Sequence, residues 1–268
     1  MTDSAAEVEE AFQPFEYVHG DYASGILLLC DHASNAVPRE YGDLGVPPEQ
    51  FQRHIGYDIG ARAVTLELAR RLGAPACLTT YSRLLIDPNR GDDDPTLIMR
   101  LSDGAVVPGN AKVGRSERAN RIERFHKPYH DLIDRTLDAM MADGPPPVVA
   151  SIHSFTPVWR GVPRPWHATV LWDCDPRAVR PMLDGLRAQE GLIVGDNEPY
   201  DGALKNDTMY RHAMRRGIAH VLLELRQDLI ADAAGSTEWA GRLEPILRDI
   251  AQRPECRRIE KYKSRSDT

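Results

Sequence analysis

The sequence predicts a single α/β domain with a mainly parallel or mixed central sheet and helices on both faces. Three observations carry this. The apolar runs at 25–30 (GILLLC), 147–153 (PVVASIH) and 219–225 (AHVLLEL) are continuous rather than alternating, as in strands covered on both faces. Segments of helical spacing separate them. The chain has 268 residues, 42% hydrophobic and 27% charged, which is within reach of one large core.

Residues 1–23 read as a polar lead-in and 24–268 as the domain. GILLLC is the first strand and ends at Asp31 and His32. A helix follows over 59–72, with Ile59, Ala63, Leu66 and Ala69 at helical spacing and Gly73 as its stop. ACLTTY (76–81) is a second strand, and LLID (84–87) continues it or pairs beside it. Residues 88–116 show little periodicity, and loops this long in compact domains often bind ligands. Helical spacing returns over 117–142, where Pro128 should kink or divide the helix. A connector at 145–147 leads to the strand ending at His153, and ATVLW (168–172) is the next strand. Asp175 and Pro176 suit the N-cap and first position of a helix. A strand near 192–195, a helix near 207–217, the strand at 219–225 and a helix over 237–252 complete the chain.

Composition excludes several function classes. A net charge of −7 argues against a nucleic-acid partner. No run approaches the ~20 apolar residues of a membrane helix, so no membrane partner is expected. The acidic N-terminal stretch lacks a basic segment followed by an apolar one, and a cytoplasmic location is expected. Cys30, Cys77, Cys174 and Cys256 are scattered without a CxxC pair, which fits reduced thiols. Neither a P-loop, a G-x-G-x-x-G turn nor a G-x-S-x-G elbow is present.

Ionisable residues mark the ends of three apolar strands: Asp31 and His32, His153, and Glu224 with Arg226. Open α/β sheets bind ligands outside the carboxyl ends of their strands, so these side chains should meet at one rim. His32 and His153 read as zinc ligands or as rim histidines bonded to backbone. Glu224 reads as a general base with a tuned pKa or as the buried partner of Arg226, which shares its strand face. Asp58 reads as a metal ligand or as the cap of the helix beginning at Ile59. His54 stands four residues before it. His126 and His130 share that spacing, with Pro128 between them. Arg83 and Arg90 could clamp carboxylates, or Arg83 could bridge locally to Asp87.

An ordered set of segments resembles the N-formylglutamate amidohydrolase family. They are CDHASNAVP (30–38), GYDIGA (56–61), YSRLLIDPNR (81–90), FHKPYH (125–130), SIHSF (151–155), NEPYDG (197–202) and LELRQDLI (223–230). The resemblance implies a phosphorylase/hydrolase-like fold related to zinc carboxypeptidases and N-acyl amino acid deacylases. It matches His32 and His153 to the two metal-binding histidines and Glu224 to the catalytic glutamate. Asn35 stands where the wider superfamily has a glutamate ligand. Asp58 is then the candidate third ligand, and Asn35 a candidate for substrate contact.

The expected activity is metal-dependent hydrolysis of a small acidic N-acyl amino acid, N-formyl-L-glutamate first. A divalent ion, zinc in expectation, would be held by His32, His153 and Asp58. Glu224 would move the proton, with His130 as the second candidate. Arg83, Arg90, Arg226, Asn35 and Ser154 are the candidate substrate contacts. The alternatives are a deacylase of another N-acyl amino acid or small amide, and a metal- or carboxylate-binding module without catalysis.

Overall fold

Seven strands form the central sheet of the computed structural model, which describes residues 12–142 and 144–267. They are β1 (Phe15–Val18), β2 (Ile26–Cys30), β3 (Ala76–Thr79), β4 (Val148–Phe155), β5 (Ala168–Leu171), β6 (Val194–Asp196) and β7 (His220–Arg226). Their spatial order is β1-β3-β2-β4-β7-β5-β6. β3, β2, β4 and β7 run parallel, while β1 on β3 and β5 on β7 are antiparallel. The sheet is therefore mixed.

The five main helices are α1 (Ala61–Leu72), α2 (Arg115–Arg121), α3 (Lys127–Ala142), α4 (Val179–Arg187) and α5 (Ala233–Gln252). Side chains alternate across each strand and so divide the core. Ile26, Leu28, Ala150, Ile152, Val221 and Leu223 pack with α1, α4 and α5 on one face. Leu27, Leu29, Val149 and Leu222 pack with Tyr129, Ile133 and Leu137 of α3 on the other. Both faces of β2 are buried, which is why its sequence is apolar at every position. A third apolar cluster, including Tyr81, Leu84, Leu85, Ile86 and Phe125, lies under the long loop.

Several boundaries depart from the sequence expectation. Residues 1–11 of the polar lead-in lie outside the described residues. Phe15–Val18, placed in that lead-in, is instead the edge strand β1, half-buried and too short to show a pattern. LLID is no strand. It is apolar because Leu84, Leu85 and Ile86 are fully buried in the third cluster. The loop also holds a small hairpin, Leu101–Ser102 with Ala105–Val106. Its turn residues Asp103 and Gly104 have φ 43° and 78°, the pairing such turns favour. The helix around Pro128 is divided by a π turn at Ile122–His126, just before the proline. Proline lacks the N–H that a regular ladder needs, and the wider turn absorbs the break. Asp175 does not cap α4, which starts at Val179; its carboxylate pairs with Arg177.

Candidate active site and metal centre

β2 and β4 aim polar side chains at the carboxyl rim on the α3 side of the sheet. Asp31 and His32 follow the last residue of β2. His153 lies two residues inside the end of β4, and Glu224 two inside the end of β7, since both strands run further than their apolar patterns suggested. His153 and Glu224 are register partners. Asp58 comes from the turn before α1, and the shape of that turn depends on Gly60. Its φ is +82°, and a Cβ there would stand 2.2 Å from the Ile230 carbonyl oxygen. Gly60 is also the N-cap of α1, with no side-chain cap bond. The Asp58 carboxylate is thereby left for the site.

Asp58 is the meeting point of two histidines. Its Oδ2 lies 3.2 Å from His32 Nδ1 and 2.9 Å from His153 Nδ1. The Ser154 backbone N–H donates to the same oxygen at 3.3 Å. Each imidazole is held from behind through Nε2: His32 by Asp87 at 2.8 Å, His153 by Asp31 at 3.1 Å. Carboxylates in those positions fix the ring orientation and keep the inner nitrogen available as a donor atom. Asp31 also accepts from Tyr129 Oη at 2.8 Å and Thr208 Oγ1 at 3.0 Å. Arg83 joins Asp87 at 2.7 Å and Asp58 at 3.4 Å.

Electrostatics follow from this network. Burial alone would raise the Asp87 carboxyl, but Arg83, His32 and Arg90 outweigh it and hold it well below the usual range. Burial would likewise neutralise His153, but Asp31 and Asp58 hold its pKa well above the ordinary value. Asp58 is lowered: the two histidines overcome the cost of burial. Glu224 goes the other way. Burial pushes it up to about 7 against the pull of His153, and its Oε2 is buried without a hydrogen-bond partner.

The donor chemistry suits a divalent ion. His32, Asp58 and His153 are buried, and one ligand atom from each lies within 4.8 Å of the others. Two imidazoles and a carboxylate form a donor set for zinc with room for a further ligand. These residues open onto a cavity of about 350 Å³, which Glu224, Ser154, Arg83 and Arg90 also line.

The other sequence candidates sit elsewhere. Asn35 does not line the cavity; its Nδ2 donates to the Phe51 carbonyl at 3.1 Å. Arg226 turns to Asp228 at 2.8 Å and is not the partner of Glu224. His130 is buried in a histidine chain away from the cavity wall. Its Nδ1 lies 2.7 Å from His212 Nε2 and its Nε2 3.0 Å from the Pro88 carbonyl. That chain ends at Asp134, 3.0 Å from His212 Nδ1. Sequence reasoning missed Asp207, a cavity residue whose carboxyl burial pushes up to about 7. Asp207 Oδ1 accepts from Tyr210 N at 2.7 Å, so in sequence it reads as an ordinary helix cap. Asp87 was legible only as a local bridge to Arg83.

Fold and site together define an α/β protein with a mixed central sheet, at whose carboxyl rim two imidazoles and a carboxylate could hold a divalent ion. The N-formylglutamate amidohydrolase family model matches residues 24–231, and the chain belongs to that family. It is 33% identical over 85 residues to the N-formylglutamate deformylase of Pseudomonas putida; that match spans 28% of this chain and 32% of the relative. Among solved structures, a gene product of Agrobacterium tumefaciens is 31% identical, with a TM-score of 0.84 over 89% of this chain and 95% of that one. The N-formylglutamate amidohydrolase of Ralstonia eutropha shares the fold at 21% identity, with a TM-score of 0.69 over 89% of this chain and 97% of that one.

Proposed function

We propose that this chain hydrolyses N-formyl-L-glutamate to formate and glutamate with the help of a divalent metal, zinc in the first instance. One observation carries the reading. Two carboxylate-backed imidazoles converge on Asp58, and the unpaired carboxyl of Glu224 stands in the register position beside His153. Family membership supports the choice of substrate.

An ion held by His32, Asp58 and His153 would polarise the formyl carbonyl and make a neighbouring water more acidic. Glu224 takes a proton from that water as its oxygen attacks the formyl carbon. The same carboxyl then delivers the proton to the amide nitrogen as the carbon–nitrogen bond breaks. A group that must accept and then donate works best with a pKa near the working pH, and burial of Glu224 tunes it that way. Ser154 fixes the turn that carries Asp58: its backbone N–H meets Asp58 and its Oγ donates to the Ile59 carbonyl at 2.8 Å. Arg83 holds Asp58 and Asp87 in place, which leaves Arg90 as the substrate-facing cation of the inner cavity.

The test is turnover of N-formyl, N-acetyl and N-succinyl glutamate by purified protein of known metal content, before and after chelation. Formate release lost on chelation and restored by zinc is the expected result. Faster release of acetate or succinate reassigns the acyl group. A retained metal with no turnover of any of the three overturns the enzymatic reading.

A further inference from the structure

N-formylglutamate carries two carboxylates, one beside the scissile amide and one at the end of its side chain. A site that takes both out of water needs a positive partner for each. Three guanidinium groups lie at or directly behind the cavity wall. Arg83 is already committed to Asp58 and Asp87. Arg90 lines the cavity, and its hydrogen bonds go to neutral oxygens, Thr96 Oγ1 at 3.2 Å and the Asn89 carbonyl at 2.7 Å.

Arg164 is the third, and it is unusual. It is 7% exposed, yet its hydrogen bonds also reach only neutral oxygens, Tyr200 Oη at 2.8 Å and Thr156 Oγ1 at 3.3 Å. Among the described residues no carboxylate pairs with it. Its charge rests instead against three rings, with 5.8, 5.3 and 5.1 Å to the centres of Phe155, Trp159 and Tyr200. Ring contacts offset part of the cost of a buried cation but do not equal a carboxylate fork. Phe155, Thr156, Trp159 and Tyr200 all line the cavity. Tyr200 Oη accepts from Arg164 and keeps its own proton to donate.

We infer that Arg164, acting with Tyr200, determines specificity by receiving the substrate's side-chain carboxylate, while Arg90 receives the carboxylate next to the amide. The division follows from position. Arg90 follows Asp87 by three residues, and its charge is felt at Asp87, the support of His32. Arg164 stands behind the aromatic wall. The inference rests on the hydrolase reading above.

The experiment compares kcat/KM of the metal-loaded enzyme on N-formyl-L-glutamate and N-formyl-L-glutamine, which match in shape and differ in charge. A charge-assisted contact predicts a preference of about 10- to 100-fold for the glutamate substrate. Arg164→Gln should abolish most of that preference, because KM rises far more for the glutamate substrate than for N-formylglutamine. Tyr200→Phe should reduce it several-fold, and Arg164→Lys should retain part of it. An unchanged preference in the variants, or equal loss on both substrates, overturns the inference. Should Arg164→Gln not fold, the comparison of Tyr200→Phe with wild type decides. Wild-type protein that turns over neither substrate overturns the hydrolase reading and the inference together; turnover without a charge preference overturns the inference alone.

Discussion

Glu224 stands opposite His153 in the register of two parallel strands at the centre of the sheet. That pairing sets a carboxyl beside an imidazole with no freedom of backbone to separate them. A cation at the His153 side would lower the Glu224 pKa from the value of about 7 that burial gives it. A general base must be ionised to work, so if Glu224 fills that role turnover should fall as pH drops, with the acid limb of the loaded enzyme below about 7. Glu224→Gln keeps the shape and loses the proton acceptor. We expect turnover to fall about 10²–10⁴-fold with metal content retained. If the variant keeps near-normal turnover, another group moves the proton.

Removing a donor should act differently. His153→Ala takes away one imidazole and leaves Asp31 and Asp58 as neighbouring buried carboxylates without their shared partner. Metal content and turnover should be lost together, and chelation of the wild type should reproduce the loss reversibly. Asp58→Ala should also lower occupancy, because it removes the carboxylate of the candidate donor set, and α1 should survive it, because no side-chain cap bond starts that helix. Metal analysis of the two variants beside their turnover checks this; full occupancy in both would remove these residues from the ligand set.

Asp87 offers a test of the layer behind the proposed metal ligands. Its Oδ1 holds His32 Nε2 at 2.8 Å, while Arg83 occupies Oδ2 at 2.7 Å. Asp87→Asn preserves size and still accepts a hydrogen bond, but it loses the charge that makes the imidazole a stronger donor. A drop of about 10- to 100-fold in metal affinity is expected, measured by competition with a chelator of known strength. Affinity equal to wild type would reduce Asp87 to a local brace for Arg83.

Much of this arrangement was legible from the chain because buried parallel strands write continuous apolar runs, and a polar residue interrupting such a run is conspicuous. His32, His153 and Glu224 stood out for that reason. Residues whose local role is ordinary did not. Asp207 caps a helical turn through Tyr210 N and also faces the cavity; the first role accounts for it in sequence and hides the second. Arg164 lies in a segment with no periodicity, and its three aromatic contacts come from residues up to 36 positions away. LLID misled for the opposite reason. Burial under a loop layer makes the same apolar run as burial in a sheet.

Asp207 also makes the protein's stability depend on pH in a defined direction. Burial pushes its carboxyl up to about 7, with Asp31 adding to the rise, while the Tyr210 N–H bond, Arg90 and His153 pull against it. In the unfolded chain an aspartate ionises near ~3.9. Between about 4 and 7 the folded protein therefore holds a proton that the unfolded chain has released. Stability from this group falls as pH rises through that window and levels off above it. Asp207→Asn keeps an oxygen for Tyr210 N and cannot ionise. A tenfold difference in proton affinity between the folded and unfolded chain is worth about 1.4 kcal/mol, so the variant should gain on wild type by roughly 1 kcal/mol or more between pH 5 and pH 8. Denaturant unfolding of both proteins at the two pH values measures the difference. An equal gap at pH 5 and pH 8 would mean that Asp207 is already ionised in the folded protein at pH 5, and that the cavity presents an anion rather than a neutral acid at that wall.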